Sequence, residues 1–519
     1  MSVDPFGAVR STARSLLLET TMSPTPTMNA IAILDRIANP DDERPVEIRI
    51  EHDSLGEMAI PADAYWGIHT ARALVNFPIS GTPIAIYPDL IAAFACVKQA
   101  AARANADLGV IDRERAGLIE RAAGEIRAGA LRDEFVVDIL QGGAGTSTNM
   151  NVNEVIANRG LELAGYAKGD YAHLHPLDHV NHSQSTNDTY PTAFKIGLHW
   201  AVTRLLEELA LLEEAFARKG EEFAGILKIG RTQLQDAVPM TLGQEFASFA
   251  TTLNEDHSEF EALQPYLLEM NLGATAIGTG ITADPGYAAL VREHLSAITG
   301  LELKTAANLV AATSDVGVFL KLSGVLKTSA MKLLKITNDL RLLSSGPQAG
   351  LGEIHLPARQ AGSSIMPGKV NPVIPEAMAE VAFSVAGADT IVTMATQAGQ
   401  LQLNAFQPVI AHALFQSLNW MTAGMRMLRE TCVDGISANT ERLAHLARTS
   451  VGVVTGLTPF IGYEAAAAIA KEGLATGRPI ADLVVAAGLM DRAAVEAALT
   501  PEHLTGSGAS ASPRPRIES

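Results

Sequence analysis

Two stretches of the chain place apolar residues at alternating steps of four and three. Leu198, Val202, Leu205, Leu209, Leu212 and Phe216 form the first, and Phe319, Leu322, Leu326, Ser329, Leu333, Ile336, Leu340 and Leu343 form the second. Such spacing keeps one face of an α-helix apolar over many turns, so both stretches predict long bundle helices. Lys321, Lys327, Lys332, Lys335 and Arg341 fall elsewhere around the second helix. Neither helix can hide its seam alone, which predicts an antiparallel bundle and a homo-oligomer. A further helical period runs from about Leu90 to about Ala130, while the sequence from Val46 begins as a short alternating strand and turns into a turn-rich segment.

The segment Thr390 to Met425 carries no Asp, Glu, Lys or Arg. Its length raises the question of a membrane span, but Gln397, Gln400, Gln402, Asn404, Gln407, Gln416 and Asn419 interrupt it and Pro408 breaks it. Burial against other helices, including those of another subunit, is the expected setting of this uncharged helix. After about Asn439 the pattern shortens into small helices separated by turn signals.

These patterns divide the 519 residues into an N-terminal extension (1–45), an N-terminal domain (46–185), a central helical bundle (186–440), a small C-terminal helical domain (441–505) and a tail (506–519). The extension is expected to be disordered: Arg10, Arg14 and the run Ser15 to Leu18 hint at a targeting peptide, but Asp4 and Glu19 spoil the acid-poor pattern. The Gly-, Ser- and Pro-rich tail is expected to be disordered as well.

Composition narrows the class. Ala, Leu, Gly and Val outnumber the aromatic residues, a balance suited to close-packed helices, so the expected fold is mainly α. Cys96 and Cys432 lie far apart in apolar surroundings, which predicts reduced core thiols in the cytoplasm. With 57 acidic against 39 basic residues the net charge is −18, and no basic cluster appears. Nucleic acid and anionic membrane surfaces are disfavoured as partners, and an anionic substrate must be captured locally.

Four polar islands interrupt the apolar helical sequence: GAGTSTNMN at Gly143 to Asn151, NHSQSTND at Asn181 to Asp188, GRTQLQDAVPM at Gly230 to Met240, and GSSIMPGKVNP at Gly362 to Pro372. One such island reads as a helix cap or a turn. Four, at the ends of bundle helices, can converge on one site of neutral donors plus a lysine, suited to a small dicarboxylate without a metal. The last island combines Ser363, Ser364, Lys369 and Asn371 with Gly362, Pro367 and Gly368, the make-up of a polar lid. His173, His175, His179 and His182 lack metal-ligand spacing and read as a solvated loop, and no nucleotide-binding or nucleophile-elbow motif is present.

GSSIMPGKVNP resembles the signature of the fumarase/aspartase superfamily, and the other three islands follow in that family's order. The likeness runs from about Val46 to about Leu504. It implies a mainly α, three-domain protomer with a central long-helix bundle, assembling into a multi-helix tetramer core. It also implies a homotetramer with active sites shared between subunits, and elimination chemistry that releases fumarate. Within the superfamily the aspartase branch is the closer likeness. IPADAYWGIHTARALVNF carries His69 where fumarases usually have Gln, and GRTQLQDAVPMTLGQEF, NLGATAIGTG, NDLRLLSSGP and AGQLQLNAFQPVI are similar to aspartase segments. Gln233 stands where fumarases place a histidine paired with the glutamate that matches Glu376.

For L-aspartate the resemblance makes Ser363 the base, an alkoxide stabilised by backbone N–H groups once the loop closes. Ser185, Thr186, Ser363 and Ser364 would bind the β-carboxylate and take up the charge of an enediolate. Lys369, Asn371 and Thr232 would hold the α-carboxylate, and Thr146, Asn187 and Gln233 would face the amino group, with Glu376 in support. No metal site and no required cofactor are implied, and activation by a divalent cation such as Mg2+ stays open. The substrates would be L-aspartate, fumarate and ammonia. The rival readings are a class II fumarase acting on L-malate and a non-catalytic relative that uses the bundle as a scaffold.

Overall fold

The computed structural model describes residues 26–37 and 46–505. They fall into two compact units: one holds the described residues up to 198 with 268–316 and 395–412, the other 199–267, 317–394 and 413 onward. The predicted mainly α character is observed. The strands form only two-stranded sheets, among them an antiparallel hairpin, Ile48–Asp53 with Gly56–Pro61, where the alternating start was read.

In the first unit the helical period from Leu90 is two helices, Pro88–Asp107 and Arg113–Arg127, rather than one. Gly109 at φ +72° ends the first, and Asp112 caps the second by accepting the Arg115 N–H. Phe94, Ile119, Ala122, Ile126 and Phe135 are buried in this unit. One expectation is corrected here. Within the N-terminal extension, Pro26–Ile37 is a helix with Ala30 and Leu34 buried, because these two residues lie one turn apart and form a small apolar face. Residues 1–25, 38–45 and 506–519, including the expected tail, lie outside the described residues.

Both heptad seams lie on long helices. Leu198, Val202, Leu205, Leu209, Leu212 and Phe216 are buried along Thr186–Glu222, and every residue from Phe319 to Leu343 in the second seam is buried along Gly317–Leu343. In the second unit Gly317–Leu343 packs against Leu242–Leu267. The small C-terminal helices enclose Val453, Leu457, Ile469, Ile480, Leu483 and Val495, and Ile229 from a strand far earlier in the chain completes that core.

The uncharged stretch after Thr390 is likewise two helices, Val373–Gln397 and Gln407–Thr431. Asn404 Nδ2 donates to the carbonyls of Ala395 and Thr396, satisfying the end of the first, and Pro408 sits in the opening turn of the second, where its missing N–H costs nothing. By length and composition Val373–Gln397 could cross a membrane, with a third of its most apolar stretch buried. It also carries Asp389, which is buried and bonded by Ser323 and Lys327, a pairing that fits a bundle helix better than a lipid-facing one.

Candidate active site

The loop after Ala361 is tied at its neck. Gly362 N donates to Lys369 O at 2.7 Å, and Asn371 Nδ2 donates to Gly362 O at 2.9 Å. A side chain at Gly362 would place Cβ 2.7 Å from Lys369 O and 2.8 Å from Asn371 N, so only glycine lets the two arms meet. Gly368, at φ +83°, turns the returning arm. Inside this loop Ser363 Oγ accepts two backbone N–H groups, from Ile365 at 3.2 Å and Met366 at 3.0 Å. Two converging donors on a hydroxyl oxygen favour its anion. Ser364, Lys369 and the apolar tip Ile365, Met366 and Val370 are exposed. Glu376 lies in the first turn of Val373–Gln397, with Arg341 Nη2 3.8 Å from its carboxylate.

The island at Gly230 to Met240 is not a helix end. It forms an antiparallel hairpin, Leu227–Thr232 with Gln235–Thr241, whose register shifts between Ile229 and Arg231. Thr232 pairs with Gln235, and the turn between them consists of Gln233 at φ +54° and Leu234 at φ +64°. Two consecutive positive φ values are the geometry of a tight hairpin turn that favours Asn and Gly, so holding Gln and Leu there stores strain. A buried ion cluster anchors the hairpin: Lys228 lies 3.0 Å and Arg231 2.6 Å from the Glu353 carboxylate, and Lys228 also reaches Glu245.

The remaining assigned residues lie in the first unit. Gly143, Ala144 and Gly145 all have positive φ, and a Cβ on Gly145 would lie 2.2 Å from the Tyr190 ring. This bend starts the helix Thr146–Leu163, where Thr146 turns its N–H and Oγ1 onto Gly143 O. The island is more than a cap, since Thr148, Asn149, Asn151 and Asn153 are buried along that helix. Asn149 Nδ2 donates to Thr186 Oγ1 at 3.1 Å.

Ser185 and Asp188 cap the helix Thr186–Glu222 reciprocally. Ser185 Oγ accepts the Asn187 N–H, and Asp188 Oδ1 accepts the Ser185 N–H. Asp188 Oδ2 takes the N–H groups of Gly273 and Thr275. Burial pushes the Asp188 carboxyl up to about 7 against these donors and Lys98, while burial pushes the Lys98 amine down to about 7. Asn187 Nδ2 donates to Ala276 O at 2.7 Å. Pro191 cannot donate to the Asn187 carbonyl one turn before it, and Asn271 Nδ2 supplies that hydrogen bond at 3.1 Å.

The structure thus groups Thr146, Ser185, Thr186 and Asn187 in one unit, and Thr232, Gln233, Ser363, Ser364, Lys369, Asn371 and Glu376 in the other. Lys98, Asn181 and Asn149 are linked by hydrogen bonds to Thr186, a connection that the polar islands by themselves do not display. The available signal was Lys98 itself, a lone cation in the apolar run IAAFACVKQAAA. His69 N donates to Glu154 Oε1 at 2.8 Å, and Glu154, whose carboxyl burial pushes up, also accepts from Gly67 and Thr70. His175 and His179 belong to a helical turn rather than a solvated loop, while His173 stays exposed: His175 Nδ1 accepts from Leu177 and Asp178, and His179 Nδ1 accepts from His175 N. Among the described residues no group of three or more His, Cys, Asp or Glu could hold a metal ion.

Residues 56–387 match the family model described as lyase, and residues 453–506 match the fumarase C C-terminus model. The chain is 56% identical over 457 residues to an aspartate ammonia-lyase of Pseudomonas aeruginosa, covering 88% of this chain and 96% of that one. A solved structure of a fumarate lyase:delta crystallin from Brucella melitensis bound to cobalt is 51% identical, with a TM-score of 0.86 over 88% of this chain and 99% of that one. A class II fumarase from Schistosoma mansoni is similar at 33% identity and a TM-score of 0.83, over 88% and 98% of the two chains.

Proposed function

The chain belongs to the fumarase/aspartase superfamily of lyases, and from that premise we propose that it is an aspartate ammonia-lyase, a carbon–nitrogen lyase that converts L-aspartate to fumarate and ammonia. The observation that carries the mechanism is the pair of N–H groups on Ser363 Oγ.

The proton next to the β-carboxylate is weakly acidic, so its removal needs a strong base and donors for the charge that spreads onto the carboxylate. Ser363 is the base: the Ile365 and Met366 N–H groups stabilise its alkoxide, and loop closure excludes water. Ser185, Thr186, Ser363 and Ser364 take the β-carboxylate and the enediolate charge. Lys369, Asn371 and Thr232 hold the α-carboxylate, while Thr146, Asn187 and Gln233 face the departing amine. A glutamine at 233 offers no titratable partner to Glu376, which favours ammonia over water as the leaving group. The chemistry requires no cofactor, and assays with Mg2+ and with a chelator read any activation by a divalent cation.

We further propose that residues of one site come from different protomers of a homotetramer. Phe383, Gly387, Thr390 and Met394 step by four and three along Val373–Gln397, and all are exposed and uncharged in the single chain. A second helix seam facing outward is the surface a bundle partner would cover. A cytoplasmic location belongs to the same reading, supported by Cys96 and Cys432 as free, buried thiols.

Fumarate absorbance followed with L-aspartate and, separately, with L-malate tests the proposal. Release of fumarate from L-aspartate is expected; turnover of L-malate alone would make the chain a fumarase.

A further inference from the structure

The segment Ser185 to Asn187 rests on a chain of enclosed amides that ends in a cation. Lys98 is fully buried on Pro88–Asp107, and its Nζ donates to Asn181 Oδ1 at 3.0 Å and Gln184 Oε1 at 2.9 Å. Asn181 Oδ1 also accepts from Asn149 Nδ2 at 3.1 Å and Asn153 Nδ2 at 3.2 Å. Asn149 Nδ2 in turn reaches Thr186 Oγ1 at 3.1 Å.

A side-chain amide can turn over and exchange its oxygen for its nitrogen, so amides in a row do not fix their own direction. A lysine does, because protonated or neutral its nitrogen carries at least two N–H donors. Facing Lys98, both Asn181 and Gln184 must present oxygen, and Gln184 Nε2 is accordingly turned to the carbonyls of Val180 and His182. Facing the Asn181 oxygen, Asn149 must present Nδ2. Thr186 Oγ1 then accepts, and its single proton is left to be donated elsewhere.

This direction has a cost. Oδ1 of Asn149 and Oδ1 of Asn153 are buried without a hydrogen bond among the described residues. Each such acceptor forfeits the hydrogen bond it would make in water. Turning Asn149 or Asn153 over would set its oxygen against that of Asn181, so Lys98 enforces the arrangement despite that cost.

We propose that Lys98 is a positioning residue that acts through Asn181 and Asn149 to make the Thr186 hydroxyl a donor to the substrate carboxylate. The inference rests on the assignment of Thr186 to carboxylate binding.

The test is calorimetric binding of succinate, a dicarboxylate that cannot react, to the full-length protein and to Thr186→Val, Lys98→Met and the double variant. A hydrogen bond to a charged group is worth about 1.5–3 kcal/mol, so Thr186→Val and Lys98→Met should each weaken succinate by about tenfold or more. In the Thr186→Val background Lys98→Met should add less than about twofold, because its route to the ligand is already gone. Equal losses in both backgrounds, or none in either, overturn the role of Lys98 and leave the assignment of Thr186 standing. Succinate affinity unchanged by Thr186→Val overturns that assignment and this inference with it. Asn149→Ala, carried through the same cycle, gives the same reading if Lys98→Met yields no folded protein.

Discussion

The backbone N–H of Met366 donates to Ser363 Oγ across 3.0 Å, and the N–H of Ile365 approaches the same oxygen at 3.2 Å. An ordinary serine hydroxyl is far too weak an acid to supply an alkoxide, and these two donors support the role of base proposed for Ser363. Ser363→Ala is expected to lower kcat by about 10²–10⁴-fold, the usual contribution of a positioned base. The melting temperature should change little, since the side chain is only half-buried, while succinate affinity should fall by about tenfold, because Ser363 is also assigned to the β-carboxylate. Activity near that of the unaltered protein would rule out Ser363 as the base.

Gly362 tests the loop without touching a reacting group. A methyl there meets the backbone of Lys369 and Asn371, at 2.7 and 2.8 Å, and backbone cannot yield as a side-chain tip can. Gly362→Ala should therefore part the neck of the loop and displace Ser363, with about a 10²-fold loss of kcat/KM. The fold should survive, because the loop is exposed. Steady-state kinetics together with the melting temperature decide the point: a loss of activity only in proportion to lost folded protein would contradict it.

The helices were legible in the chain because burial repeats at their own period. Every seam residue from Leu198 to Phe216 and from Phe319 to Leu343 is buried as its spacing predicts. The helix breaks were less legible, since they depend on single residues such as Gly109, Asp112 and Asn404, whose bonding partners the sequence does not display. A polar loop could be read from its composition, but the tie between Gly362, Lys369 and Asn371 could not. The hairpin at Leu227–Thr241 escaped because Gln233 and Leu234 are not the residues its turn prefers, and strain of that kind leaves no compositional mark. Lys98 escaped for a related reason. A buried cation looks like a surface one until its partners, Asn181 and Gln184, are seen around it.

The turn at His175 makes stability depend on pH in a defined direction. Burial holds both His175 and His179 below the ordinary histidine range; Asp178 opposes this at both, while Arg115 and His175 add to it at His179. Each uses Nδ1 as an acceptor, which a proton would remove. Between the folded and unfolded values the unfolded chain binds more protons, so this stability is fully present above about pH 6.5 and is lost as pH falls through the folded values. Urea midpoints should drop between pH 7.5 and pH 5. His175→Asn, which keeps an acceptor that cannot titrate, should lose less, by about 1 kcal/mol. Parallel pH profiles for the two proteins would remove His175 from the account.

The seam on Val373–Gln397 makes the assembly testable with one substitution. Phe383 is 60% exposed and Met394 67% exposed in the single chain, on the same face as Gly387, where an added Cβ would meet nothing within 4 Å. Covering one phenylalanine contributes about 1.5–3 kcal/mol, and a homotetramer repeats that contribution in every copy, so a charge at this position is opposed several times over. Phe383→Glu is therefore expected to shift the protein to smaller species in sedimentation velocity, with helical circular dichroism retained. Activity should fall with assembly if residues of one site come from different protomers, and mixing the variant with an excess of unaltered protein should restore part of it. An unchanged sedimentation coefficient would mean that the partner covers another face. Smaller species with full activity would mean that one protomer holds a complete site, and the assignment of shared sites would fall while the assembly surface stood.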